Sequence, residues 1–75
     1  MGIPLDITNT EIAYYIDEYI RSERDRAILK RRYIDGICYE PLAEEFDLST
    51  VQMKRIIKKQ SMILLSILER AYSSE

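Results

Sequence analysis

An all-α fold of four to five helices is what this sequence predicts, and three observations predict it. The chain of 75 residues is 47% hydrophobic yet contains only two Gly and two Pro, so it is rich in helix formers and poor in turn punctuation. Three hydroxyl residues are each followed, three places on, by an acid or amide: Thr8 with Glu11, Ser22 with Asp25, and Ser49 with Gln52. That spacing marks helix N-termini, where side chains satisfy the first free amides. Between these marks apolar residues recur at helical spacing, as in Ile12, Ile16 and Ile20. The length allows one core, so residues 1–75 are expected to form a single domain, with 1–7 as a flexible N-terminus.

Composition removes several function classes. With Cys38 as the single cysteine and no histidine, disulfide frameworks, Cys/His zinc sites and His-based catalysis are excluded together. The two glycines stand alone and cannot form a phosphate cradle. No metal, no cofactor and no enzymatic activity are therefore expected. Met1 to Leu5 shows no basic segment followed by an apolar run, and no stretch reaches the length of a membrane span, so a cytoplasmic protein without a membrane partner is expected.

The net charge of −2 argues at first against a partner as acidic as nucleic acid. The average conceals blocks: −4 over residues 1–20, +4 over 21–32, −5 over 33–48 and +4 over 49–59. A local positive face can exist on such a molecule, with modest and salt-dependent affinity for phosphate.

Thr8 is expected to cap a first helix from about Asn9 to Arg21, with Ile12, Ile16, Tyr19 and Ile20 on its apolar stripe and Tyr14 and Tyr15 partly buried with the hydroxyl at the edge, the alternative being an exposed aromatic surface. Ser22 caps a second helix of about a dozen residues, buried through Ile28, Leu29 and Tyr33. Asp35-Gly36 stops it, and Ile37 folds back as an apolar seal. Its exposed side carries Arg24, Lys30, Arg31 and Arg32. The last three read equally well as a dipole-matched helix end or as phosphate contacts. Cys38 stands where a third helix needs a cap, and Pro41 falls in its first turn. With no basic partner nearby, the thiol is expected to be a small, partly buried structural residue.

Residues 39–59, YEPLAEEFDLSTVQMKRIIKK, read as two helices meeting at a sharp turn, a helix-turn-helix. Leu42, Phe46, Leu48, Met53 and Ile56 are apolar where two crossing helices would share a core, and Ala43 lets their backbones approach. Asp47 occupies the turn position that needs positive φ. The helix opened by Ser49 continues well past Lys59 and exceeds twenty residues. Along it Met53, Ile57, Gln60, Leu64, Ile67 and Ala71 alternate steps of four and three. A second row, Ser61, Leu65, Leu68 and Tyr72, lies on another face. Two apolar rows exceed what one small domain covers, so a homodimer through the extension 61–72 is expected, with Leu64, Leu65, Leu68 and Tyr72 at its interface. The alternative is that the first helix covers one row and the second helix bends back over the other.

From Glu23 onward, ERDRAILKRRYIDGICYEPLAEEFDLSTVQMKRIIKK resembles region four of the sigma-70 family, the part of bacterial RNA polymerase sigma subunits that reads the upstream promoter element. The resemblance rests on the Glu-Arg-x-Arg-x-Ile-Leu start, the Arg-Tyr-Ile-Asp-Gly helix end, the Leu-Ala-Glu-Glu-Phe helix and the Leu-Ser turn into a basic helix. The chain departs from the pattern at Cys38, Pro41, Asp47 and Met53. The resemblance implies base-facing roles for Thr50, Gln52, Lys54 and Arg55, with Lys58 and Lys59 toward phosphates; Ser49 at the helix start and, on the charge reading alone, Lys30, Arg31 and Arg32 are further phosphate candidates. It further implies a small free-standing bacterial or phage regulator of transcription whose partner is double-stranded DNA. Nothing resembles the sigma region that binds core polymerase, so the chain alone is not expected to initiate transcription. The competing expectation is a protein-interaction module in which Glu40, Glu44, Glu45 and Asp47 face a basic partner, RNA polymerase or another protein.

Overall fold

The helices start where the capping residues stand. The computed structural model describes residues 7–72, without the side chain of Tyr72, and among them forms four α-helices and no strand: α1 (Asn9–Tyr19), α2 (Glu23–Tyr33), α3 (Tyr39–Glu45) and α4 (Thr50–Tyr72). The expected flexible N-terminus lies outside the described residues except for Ile7, which packs on the core. Thr8 Oγ1 accepts from the Glu11 amide at 3.1 Å, and the Glu11 carboxylate accepts from the Thr8 amide at 2.9 Å. Ser49 and Gln52 close the same reciprocal box at the start of α4, both bonds 3.0 Å. Ser22 Oγ accepts from the Asp25 amide at 3.3 Å, but the Asp25 carboxylate does not return to the cap. It is buried and accepts from Gln60 Nε2 at 2.7 Å and Arg24 Nε at 3.2 Å. A residue legible as a cap thus also ties α2 to α4.

Connections between helices are fixed by hydrogen bonds of the same kind. α1 ends at Tyr19 rather than at the expected Arg21, with Ile20 already extended at φ −97. The Arg26 guanidinium donates to the carbonyls of Ile20 at 2.8 Å and Arg21 at 2.9 Å, supplying partners for carbonyls at a helix end. Gly36 adopts φ +73, and the Ile37 amide returns to the Arg31 carbonyl at 3.2 Å. Between α3 and α4, Asp47 has φ +57. Its amide donates to Glu44 O at 3.2 Å and that of Leu48 to Ala43 O at 2.8 Å, the paired bonds of a Schellman ending. Leu48 then folds onto the cluster holding Leu42 and Ala43.

Two substitutions test this local chemistry. Asp47→Gly removes the steric cost of a Cβ in the left-handed region and is expected to raise stability by about 0.5–1 kcal/mol. A lower denaturation midpoint would mean that the carboxylate makes a bond that outweighs this relief. Cys38 is the N-cap of α3 but makes no side-chain cap bond, and it is exposed rather than partly buried as expected. The residue stays exposed while Tyr39 and Ile37 on either side take the contacts with the core. Cys38→Ser should therefore stabilise by about 0.5–1 kcal/mol through a hydroxyl cap, and a fall in melting temperature would contradict that reading.

The core has two parts with α4 as their shared spine. Ile12, Ile16 and Ile20 of the first connection and helix meet Leu29, Leu64 and Leu68; Ile28, Leu42 and Ala43 meet Met53 and Ile57. Adjacent residues Ile28 and Leu29 of α2 thus serve different clusters. At the crossing, Tyr33 Oη and Ser61 Oγ are hydrogen-bonded at 2.5 Å, and among the described residues no buried side-chain polar atom lacks a partner.

This packing corrects the expected dimer seam. Leu64 and Leu68 are fully buried inside the single chain, and Leu65 is partly buried against the same cluster; the Tyr72 side chain lies outside the described residues. α1 and α2 bury part of each row and leave Ile67 half-buried and Ala71 exposed, because a straight helix repeats every 3.6 residues and its buried line drifts from one row to the other. The buried line runs Met53, Ile57, Ser61, Leu64, Leu68 instead of through Gln60, Ile67 and Ala71. A second difference lies on α1. Tyr15 packs on the core as expected, but Tyr14 is 57% and Tyr19 49% exposed, since Ile12, Ile16 and Ile20 already fill the contact with α4.

Candidate nucleic-acid interface

The first ten residues of α4 divide sharply by side. Met53 and Ile57 are buried, whereas Val51, Gln52, Lys54, Arg55, Lys58 and Lys59 are exposed. The exposed surface is held rigidly, because the Schellman turn fixes the chain before it and the Ser49/Gln52 box fixes its first turn. Among the described residues no carboxylate pairs with Arg55, Lys58 or Lys59. These cations keep their charge available for an anionic partner. Thr50 is half-buried on the core side of the first turn, so it presents less to solvent than its neighbours. Gln52 Oε1 is occupied by the Ser49 amide, which leaves the side-chain NH2 as its free donor. Ser49 is exposed, with its hydroxyl oxygen accepting from the Gln52 amide.

The second basic segment is mostly absorbed by the fold. Arg31 makes a bidentate pair with Glu45, down to 2.8 Å, and a further bond to Asp35 at 2.9 Å. Those hydrogen bonds, Glu45 first and Asp35 second, hold its pKa above the ordinary value. Arg31 can therefore meet a phosphate only by giving up the acid that α3 brings against it. Lys30 pairs with Asp17 of α1 at 2.7 Å, both side chains being well solvated, an interaction that costs little to exchange. Arg26 is spent on backbone carbonyls.

Arg32 keeps a different company. Its guanidinium lies 4.6 Å from the centre of the Tyr39 ring, the Lys54 ammonium lies 5.7 Å from the same centre, and Arg32 also donates to the Ile37 carbonyl at 3.2 Å. Two cations from α2 and α4 thus converge on one aromatic ring at the start of α3. Tyr39 was not among the residues expected at the site; the spacing of three helices cannot reveal a contact made by their ends. On the opposite side of α4, Arg21 and Arg24 face Lys59 across a groove of about 430 Å³ that also meets Tyr19 and Ile63. Arg24 bonds the buried Asp25 through Nε while about half its side chain remains exposed. The exposed face of α4 is therefore flanked by cations on both sides.

No protein-family model, no curated protein and no solved structure matches the chain. What can be said of chemistry comes from the side chains. Among the described residues no group of His, Cys, Asp or Glu is arranged to hold a metal ion, and no helix is long and apolar enough to cross a membrane. The face on α4 offers hydrogen-bond donors and positive charge to an anionic partner.

Proposed function

We propose that this chain is a sequence-specific double-stranded DNA-binding protein, a transcription regulator of the sigma-70 region-four type in which α3 and α4 act as a helix-turn-helix. The single observation that carries the proposal is the capped N-terminal part of α4, with Arg55, Lys58 and Lys59 exposed and without an ion pair among the described residues. A helix of this kind fits a major groove with its first turns against base edges. Gln52, Lys54 and Arg55 are the proposed readers, with Thr50 at the margin and Val51, 64% exposed, suited to a thymine methyl. Ser49, Lys58, Lys59, Arg32 and Arg24 are proposed to hold phosphates. The protein is proposed to act in the cytoplasm of a bacterium or on behalf of a phage, and not as an enzyme.

Selection from a randomised duplex pool tests this. Repeated binding rounds should enrich one short site with guanine at positions read by Lys54 and Arg55. A pool that stays random after several rounds would remove sequence-specific reading.

One observation favours a second reading. Glu40, Glu44 and Asp47 are exposed around α3, with no cation pairing them among the described residues. They form an acidic side suited to a basic protein surface, RNA polymerase or another protein, if α4 carries no DNA affinity. The same selection distinguishes the two.

A further inference from the structure

One surface of the molecule lies apart from the proposed base readers on α4. A furrow of about 330 Å³ runs between α1 and the C-terminal half of α4, lined by Tyr14, Tyr15, Tyr19, Ile67, Arg70 and Ala71. Through Tyr19 it continues to Ile63, itself 41% exposed. The rings are already ordered: Tyr14 meets Tyr15 edge-on at 5.2 Å, and Tyr15 stacks on Tyr19 at 6.1 Å. Rigid aromatic side chains beside an arginine are the composition of interface centres, and they lose little freedom on docking.

Two observations select the occupant. The first is charge. Glu18 lies one helical turn beyond Tyr14 on the same face of α1, Arg70 lines the furrow from α4, both are exposed, and neither has an ion pair among the described residues. In an isologous two-fold contact each copy supplies the charge the other needs. The second is geometry. Ile67 lies twelve positions beyond Arg55, about 18 Å along a helix rising 1.5 Å per residue. A two-fold axis beside Ile67 would separate the two Arg55 residues by about 36 Å along antiparallel α4 helices, matching the spacing of major-groove half-sites one turn apart. Ile63 lies about 80° and Ile67 about 120° around α4 from Arg55, so copies packed through this flank keep both reading faces toward one side.

We infer that the Tyr14, Tyr19 and Ile67 furrow is the interface of a two-fold homodimer that presents two α4 N-termini to successive major grooves. The half-site placement rests on the DNA reading above; the association does not. Sedimentation equilibrium without DNA, from about ten to several hundred micromolar, should give a dimer for the wild-type protein. Glu18→Arg and Arg70→Glu should each weaken association on the order of ten-fold by placing like charges together, and the double variant should recover most of that loss. Tyr14→Ser should weaken it while leaving the melting temperature in place, because the ring is exposed. A wild-type monomer throughout the range assigns the furrow to a different partner and overturns the inference, as does a double variant no better than the single ones. A dimer that binds no duplex supports the interface and overturns the DNA reading instead.

Discussion

Leu68→Glu should leave the protein largely unfolded. Leu68 is fully buried among Ile12, Ile16, Ile20, Leu29 and Leu64, and a carboxylate there has no cation or donor to meet. An unpaired buried charge costs more than about 4 kcal/mol, which is comparable to the whole stability of a domain of this size, about 4–11 kcal/mol. Leu65→Glu, at the edge of the same cluster, should cost about 1–2 kcal/mol and leave a folded protein, because the longer side chain can turn its charge to water. Circular dichroism melts of the two variants separate the outcomes. A folded Leu68→Glu protein that has merely lost self-association would restore the dimer seam that the sequence suggested and would contradict the packing described here.

The second large effect concerns reading. On a selected duplex, Arg55→Ala and Lys54→Ala should each cost about 1–3 kcal/mol and blur the preferred base, whereas Lys58→Ala should weaken all duplexes alike and reduce the salt slope by about one. Lys54 carries an additional structural duty through the Tyr39 ring. Tyr39→Leu should therefore alter the effect of Lys54 while leaving that of Arg55 in place, and titrations with the two double variants measure this directly. Equal losses on selected and random duplexes would reduce Lys54 and Arg55 to phosphate contacts.

Helix starts, the positive φ of Asp47 and the stop at Gly36 were legible in the sequence because each depends on residues within five positions of one another. The partners of charged residues were not. Arg31 meets Glu45 across fourteen positions and Asp25 meets Gln60 across thirty-five, and both pairings arise only once α2, α3 and α4 cross. The same limit explains the misplaced line on α4. Gln60 and Ser61 fit a helical stripe equally well, and the choice of Ser61 for the buried line follows from Tyr33 arriving to bond it. Arg24 was visible as an exposed cation, but its place opposite Lys59 depends on how α2 crosses α4. On the candidate site, exposure of Gln52, Lys54, Arg55, Lys58 and Lys59 followed from helical spacing, while the pairing of Arg31 with Glu45 did not.

The central claim, that the basic face of α4 engages duplex DNA on a molecule of net negative charge, is tested most directly by titrating wild-type protein against random duplex at two salt concentrations. With four to six phosphates engaged, affinity should be measurable at about 50 mM salt and fall on the order of 10² to 10³-fold by about 200 mM. Absence of binding at about 50 mM, where attraction to phosphate is still strong, would contradict the account and leave the acidic side of α3 as the functional surface.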